Sequence, residues 1–236
     1  MRERPVSFVP KTVLLLLLAG LTMQISWHRL APAPQAKAEN LAAPPGITTL
    51  NIASLAEPIA LGKLLMLYVQ AFDNQPGARV PFQRLDYNNL QLWLGRILEL
   101  DPSAQYPLLA ASHLYADVPD DARKRVMLEF IYRRFLDDPN QRWRALAHAA
   151  YIARHKLKDL PLARKYAQAI RLYATDKSVP GWARQMEVFL LEDMNELDSA
   201  KILLGGMLAS GQITDPHELR FLDERLREMN RKVPPK

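Results

Sequence analysis

The run Asp138-Pro139-Asn140-Gln141-Arg142-Trp143-Arg144-Ala145-Leu146-Ala147-His148-Ala149-Ala150-Tyr151, continuing through Leu162-Ala163-Arg164-Lys165-Tyr166 to Val179-Pro180, decides the fold. Its apolar residues recur at helical spacing, predicting one helix over 141–157 and another over 160–174. Asp-Pro stands at its head and Val-Pro at its foot. Proline disfavours helix for the residue before it and brings no N–H to the turn behind it. The run is therefore a pair of helices bounded by prolines.

The same punctuation recurs on both sides. Pro102, Pro139, Pro180 and Pro216 stand 37, 41 and 36 residues apart. A second marker is Ala122, Ala163 and Ala200, spaced 41 and 37, and a third is Trp143 and Trp182, 39 apart. A period of 36–41 residues holding two helices is the signature of an α-solenoid. One helix pair cannot bury its own apolar face, whereas stacked pairs can. The small Ala lets the second helix of a pair approach the first. Further helices are predicted over 52–73, 86–100, 104–116, 120–137, 181–194, 197–210 and 216–230. No convincing alternating strand is seen, so the fold class is all-α. The last segment carries Leu219, Leu222, Leu226 and Met229 on one stripe and charge elsewhere, as a capping helix requires. Ser210-Gly211 reads as a helix C-cap, and Gly205-Gly206 as a close contact or a kink.

On these residues the chain resembles the tetratricopeptide-repeat family. Trp143, Leu146, Ala147, Ala163 and Pro180 look like one unit, and Trp182, Met186, Ala200 and Pro216 like a second. Asn89 to Pro102 looks like the closing half of an earlier one. The family period is shorter, at 34, so Ala163 and Ala200 fall four and two residues beyond the family's Ala position; longer inter-helix turns would supply the difference. The resemblance covers about 86–216. It implies a right-handed superhelix of stacked helix pairs and a scaffolding role, with Trp143, Leu146, Ala147, Ala163, Trp182 and Ala200 in the repeat packing. A membrane anchor followed by a repeat domain is similar to the architecture of bacterial envelope proteins.

The N-terminus supplies that anchor. Residues 13–27 carry no charge and include five consecutive leucines. These 15 residues span roughly 22 Å as a helix, against a hydrocarbon core of about 30 Å. Lys11, His28 and Arg29 can snorkel, and Trp27 suits the headgroup layer. Arg2, Arg4 and Lys11 hold the first dozen residues in the cytoplasm under the positive-inside rule. The rival is a cleaved secretory signal, with Ala31-Pro32-Ala33 or Ala36-Lys37-Ala38 at the cut. Both place the main domain outside the cytoplasm. The chain thus divides into a cytoplasmic N-terminus (1–11), a transmembrane signal-anchor helix (12–29), a Pro/Ala-rich linker (30–50), a repeat domain (51–216) and a capping helix with tail (217–236). The expected location is the inner membrane, single-pass, with the C-terminal domain in the periplasm.

The chain has 236 residues, no Cys and 9 Gly. Zero Cys excludes disulfides, thiolate metal sites, thiol nucleophiles and a lipid anchor on an N-terminal Cys. The net charge of +6 is uneven. Residues 120–180 hold 14 basic and 7 acidic side chains, and residues 181–236 hold 8 and 10. Arg123, Lys124, Arg125, Arg133, Arg134, Arg154, Lys158 and Arg164 are the candidate partner-binding basic face; sharing one face, they would attract an anionic partner, be it an acidic protein or peptide, lipid headgroups or a polyanionic envelope polymer. The alternative is solvated helix faces, with Glu129 and Arg133 paired four residues apart. No nucleic-acid motif appears, and no cofactor is implied. His148 and His155 lie two turns apart, too far to chelate one ion unaided, and no His-Glu-x-x-His pattern occurs. Adjacent carboxylates such as Asp120-Asp121 point about 100° apart on a helix, so they make no two-carboxylate site by themselves. The expected function is a membrane-anchored scaffold or adaptor and not an enzyme. The alternatives are an envelope lyase or peptidoglycan hydrolase on a helical toroid, or a soluble periplasmic adaptor.

Overall fold

Aspartate and proline start most of these helices. The computed structural model describes residues 10–30, 40–72, 74–75, 78–79, 84–211, 213 and 215–232. They fall into two units, Met1–Ala38 with Gln75–Arg79, and Glu39–Asn74 with Val80–Lys236.

The described helix of the first unit is α1 (Lys11–Leu30). It has no buried residue, and its most apolar window has a mean hydropathy of 1.4. It is long and apolar enough to cross a membrane. A two-residue pairing of β1 (Asn74–Gln75) with β2 (Ala78–Arg79) is the only strand structure among the described residues. Residues 1–9 of the expected cytoplasmic N-terminus and 31–39 of the expected linker lie outside the described residues.

The second unit is helical: α2 (Ile47–Ala53), α3 (Pro58–Ala71), α4 (Tyr87–Leu100), α5 (Tyr106–Ala110), α6 (Asp121–Asp137), α7 (Pro139–His155), α8 (Leu160–Tyr173), α9 (Gly181–Asp193), α10 (Leu197–Ala209) and α11 (Pro216–Lys232). Side-chain oxygens of Asp86, Asp120, Asp138 and Asp159 accept backbone N–H groups in the first turns of α4, α6, α7 and α8. Each satisfies donors that the helix itself leaves orphaned. Pro58, Pro139 and Pro216 occupy the first position of their helices, where a missing N–H costs nothing. The repeat-marking prolines at 139 and 216 therefore open the next helix as well as closing the last. Ser210 caps α10, followed by Gly211 at φ +65°. Gly205 and Gly206 meet nothing within 4 Å, so they mark no close contact. Gly62 does: it lies against the Ile97 carbonyl and the Leu100 side chain where α3 crosses α4.

Three local expectations differ. The helix expected over 52–73 is two helices, bent by 110° at Ser54–Glu57, where Leu55 and Ala56 adopt φ +50° and +69°. Pro58 was the available signal. Residues 40–46, expected as linker, lie on α4: Leu41 is buried, its carbonyl accepts from Asn89 Nδ2 at 2.8 Å, and Trp93 Nε1 donates to the Ala42 carbonyl at 2.7 Å. The helix over 104–116 widens into a π-helix at Ala111–Tyr115, with Ala116 N–H on the Ala111 carbonyl. There the Leu109 carbonyl is engaged by Ser112 Oγ at 3.1 Å and His113 Nδ1 at 3.2 Å, in competition with the regular backbone ladder.

Consecutive helices pack on each other from α2 to α4 and from α6 through α11; α4 also meets α6, and α5 meets α7. Four polar contacts between elements join residues 34–40 positions apart. Gln70 donates to Tyr106, Arg125 to Asp159, Arg142 to the Pro102 carbonyl, and Asp176 N–H to Asn140, at separations of 36, 34, 40 and 36. These separations are compatible with a helical repeat. The main core runs from Leu41 to Leu190, and Val188, Leu191, Ala200, Leu204, Leu222 and Met229 form a second core under α9, α10 and α11.

Candidate partner-binding cleft

A recess lined by three arginines lies between α4 and α6. On α4, Leu90, Leu94, Ile97 and Leu98 are buried, so helical geometry turns Gln91, Leu92, Arg96 and Glu99 outward. On α6, Met127, Leu128, Ile131 and Phe135 are buried, which leaves Arg133, Arg134 and Asp137 at the rim. These seven outward residues and Phe130 line a cleft of about 460 Å³. Gly95 has no side chain, and Arg134 Nη2 lies 2.8 Å from where a Cβ would stand. The α4 surface is thus cut away for that guanidinium.

Three guanidiniums face two carboxylates here. Arg96 pairs with Glu99 at 2.6 Å. Arg134 reaches Glu99 at 3.8 Å and Asp137 at 3.4 Å, with its guanidinium carbon 5.8 Å from the centre of the Phe130 ring. Arg133 donates to the neutral Gln91 amide oxygen at 2.8 Å, and no carboxylate pairs with it among the described residues. The lining carries a net charge of +1, and its uncompensated cation is a planar fork suited to a bidentate carboxylate.

The structure brings together Arg133 and Arg134 of the expected basic face, and adds Arg96. The others are dispersed. Arg123 pairs with Asp120 at 3.1 Å and lies over the Tyr87 ring. Lys124, mostly buried, pairs with Asp121 at 2.8 Å. Arg125 bonds Asp159 at 2.7 Å and holds that carboxyl below its ordinary range. Arg154 pairs with Asp193 at 2.7 Å, and Arg164 with Glu196 at 3.2 Å. Lys158 is exposed in the α7–α8 turn at φ +55°. The expected Glu129–Arg133 pair is replaced: Glu129 takes Lys165 at 3.7 Å, and Arg133 takes Gln91. Most of these charges tie one helix to another.

Of the residues assigned to repeat packing, Trp143, Leu146, Ala147, Ala163 and Ala200 are buried. Trp182 is 55% exposed, its ring edge-on to Trp143 at 5.4 Å, and Arg144 covers the Trp143 ring at 4.7 Å.

A second constellation joins residues that the sequence keeps apart. His113, on the π-helix, stacks on His148 of α7 with ring centroids 3.8 Å apart, and Tyr151 and His155 extend the row. Burial lowers the His148 pKa below 6.5, the adjacent His113 lowers it further, and Asp117 opposes both. Among the described residues no group of three or more His, Asp or Glu is arranged to hold a metal ion. Burial pushes the Tyr87 hydroxyl up to about 12, and it donates to the Tyr115 carbonyl at 2.9 Å.

Neither a protein-family model, nor a characterised protein, nor a solved structure matches the chain.

Proposed function

We propose that the protein is a membrane-anchored helical-repeat scaffold that captures an acidic peptide segment of a partner protein in the α4–α6 cleft. The observation that carries this reading is Arg133. Its guanidinium rests on a neutral amide at 2.8 Å, at the rim of a recess whose other two arginines already have carboxylates. An incoming carboxylate replaces a neutral acceptor by a charged one, a stronger bond for the same donor. Leu92, an exposed large apolar side chain of α4 in the lining, gives the partner apolar contact. The tetratricopeptide-like register of helix pairs supports a right-handed solenoid. The apolar α1 helix, with Arg2, Arg4 and Lys11 around its start, supports a single inner-membrane span with the repeat domain in the periplasm.

The test is site-specific photocrosslinking of the full chain in intact cells. A crosslinker replacing Leu92 gives an adduct of one discrete mass, and the same crosslinker replacing Leu172, on α8, does not. Adding Arg133→Glu abolishes the Leu92 adduct. No adduct at Leu92, or one unaffected by Arg133→Glu, refutes the cleft as the capture site.

A further inference from the structure

The α2–α3 corner is built unlike the rest of the surface. Its inner side is ordinary: Leu50, Gly62, Met66 and Val69 are buried. Its outer side is also apolar. Ile52, Leu55, Leu64 and Leu67 are 74, 87, 62 and 63% exposed, and Ile59 is half exposed. Glu57 and Lys63 are the only charged residues over 47–71. A helix on a water-facing surface carries polar residues on its outer side, as α11 does. A helix that is apolar on both sides has its outer side covered.

The bend presents this surface. Together α2 and α3 are long and apolar enough to cross a membrane, but they are bent by 110°. Two consecutive non-glycine residues, Leu55 and Ala56, take left-handed backbone to make the turn. L-residues avoid that conformation because Cβ crowds the following carbonyl. The most exposed side chain of the set, Leu55, stands at this strained corner. A hairpin held this way, with one side against α4, cannot cross a bilayer, but it can lie in its surface.

The chain also supplies the bilayer. Helix α1 ends at Leu30, and the residues docked on α4 begin at 40. Fully extended, the intervening segment reaches at most about 35 Å. A tether that short keeps the corner at high effective concentration near whatever α1 is embedded in.

We infer that the α2–α3 corner is a second membrane contact, in which Ile52, Leu55, Ile59, Leu64 and Leu67 enter the leaflet at which α1 emerges and Lys63 sits among the lipid phosphates. This rests on α1 being a membrane anchor. It changes the geometry of the scaffold: the first repeat lies on the lipid surface instead of standing off it on a stalk. Apolar side chains at such an interface enter to about 5–10 Å.

The chain has no Cys, so single introduced thiols report unambiguously. Full-length Leu18→Cys, Leu55→Cys, Leu64→Cys, Leu67→Cys and Ile202→Cys, each with unchanged circular dichroism, are labelled with an environment-sensitive fluorophore. They are reconstituted into phosphatidylcholine–phosphatidylglycerol vesicles with and without nitroxide-labelled lipid. At interfacial depth, positions 55, 64 and 67 lose roughly half their emission to the nitroxide lipid, position 18 loses at least as much, and position 202 loses none. If position 18 is quenched while 55, 64 and 67 remain as open to aqueous iodide as 202, the anchor stands and the second contact is overturned. If 55, 64 and 67 are shielded from iodide and nitroxide alike, protein covers them, such as a second copy of the chain, and the inference is equally overturned. If position 18 itself is not quenched, the anchor reading fails and takes the inference with it.

Discussion

Replacing Arg142 with methionine tests the repeat register most directly. Arg142 is buried in the first turns of α7, where a cation meets the unfavourable end of the helix dipole. It is held there by acceptors from two earlier elements. Nη1 donates to the Arg134 carbonyl at 2.7 Å and to Asp137 at 3.2 Å, both near the C-terminal end of α6. Nη2 donates to the Pro102 carbonyl at 3.0 Å, one repeat back. Methionine keeps the stem and leaves both carbonyls unanswered. A hydrogen bond from a charged group contributes about 1.5–3 kcal/mol, and water can reach the Asp137 side, so the combined loss is about 3 kcal/mol. For a domain of this size that lowers Tm by about 6–12 °C. Arg142→Lys recovers less than half, because an ammonium on a flexible stem does not span both carbonyls as the planar fork does. The assay is thermal melting of the full chain in one detergent, followed by circular dichroism and tryptophan emission. A methionine variant within about 2 °C of wild type, or a lysine variant equal to it, would refute the reasoning.

Three further outcomes follow from packing and titration. Ala163→Leu puts three extra carbons into the fully buried contact under α8 and costs about 1–3 kcal/mol, read as a lower urea midpoint at unchanged slope. His148 has a lowered folded pKa, so its contribution is complete above about pH 6.5, the unfolded value. That contribution is lost as pH falls through the folded pKa. Melting between pH 8 and 5 therefore shows an acid decline that His148→Phe flattens, and an imidazole that titrates normally by NMR would rule this out. Tyr87 is raised to about 12 and Tyr166 is raised as well. Their contribution is present below the unfolded value of about 10 and lost as pH rises through the folded values. Phenylalanine at both positions removes an alkaline decline beginning near pH 10, and an undiminished decline in the double variant would contradict it.

Helix content and approximate bounds were legible because apolar periodicity and prolines act locally. Every helix expected between 86 and 230 is present as a helix in nearly the expected place. What was lost depends on partners 30 to 40 positions away in sequence. A run of Arg and Lys over 123–171 reads as a basic face until Asp159, Asp193, Glu187 and Glu196 are seen across the next turn. The +7 of residues 120–180 is thus partly met by acids from 181–236. Glu187 shows why spacing alone fails: almost fully buried on α9, it accepts from Arg171 at 2.8 Å and Gln168 at 3.2 Å, both on α8. The His113–His148 stack was invisible for the same reason, since the two are 35 positions apart and the π-turn that aims His113 carries no Gly or Pro. The cleft was half legible: Arg133 and Arg134 stood out as a pair, but Arg96 and the notch at Gly95 needed α4 and α6 side by side.

Contacts between consecutive helices also set how the molecule comes apart. An interior pair such as α7–α8 gains an interface on each side, whereas α11 gains one, over the smaller second core. In such nearest-neighbour arrays stability is a sum of local and interface terms, and openings begin where an interface is missing. Amide protons of α11 and α10 therefore exchange first, and those of α7 and α8 last. Opening of α10 and α11 leaves the α4–α6 cleft ordered. A protease that removes α10 and α11 therefore leaves every residue that lines the α4–α6 cleft in place.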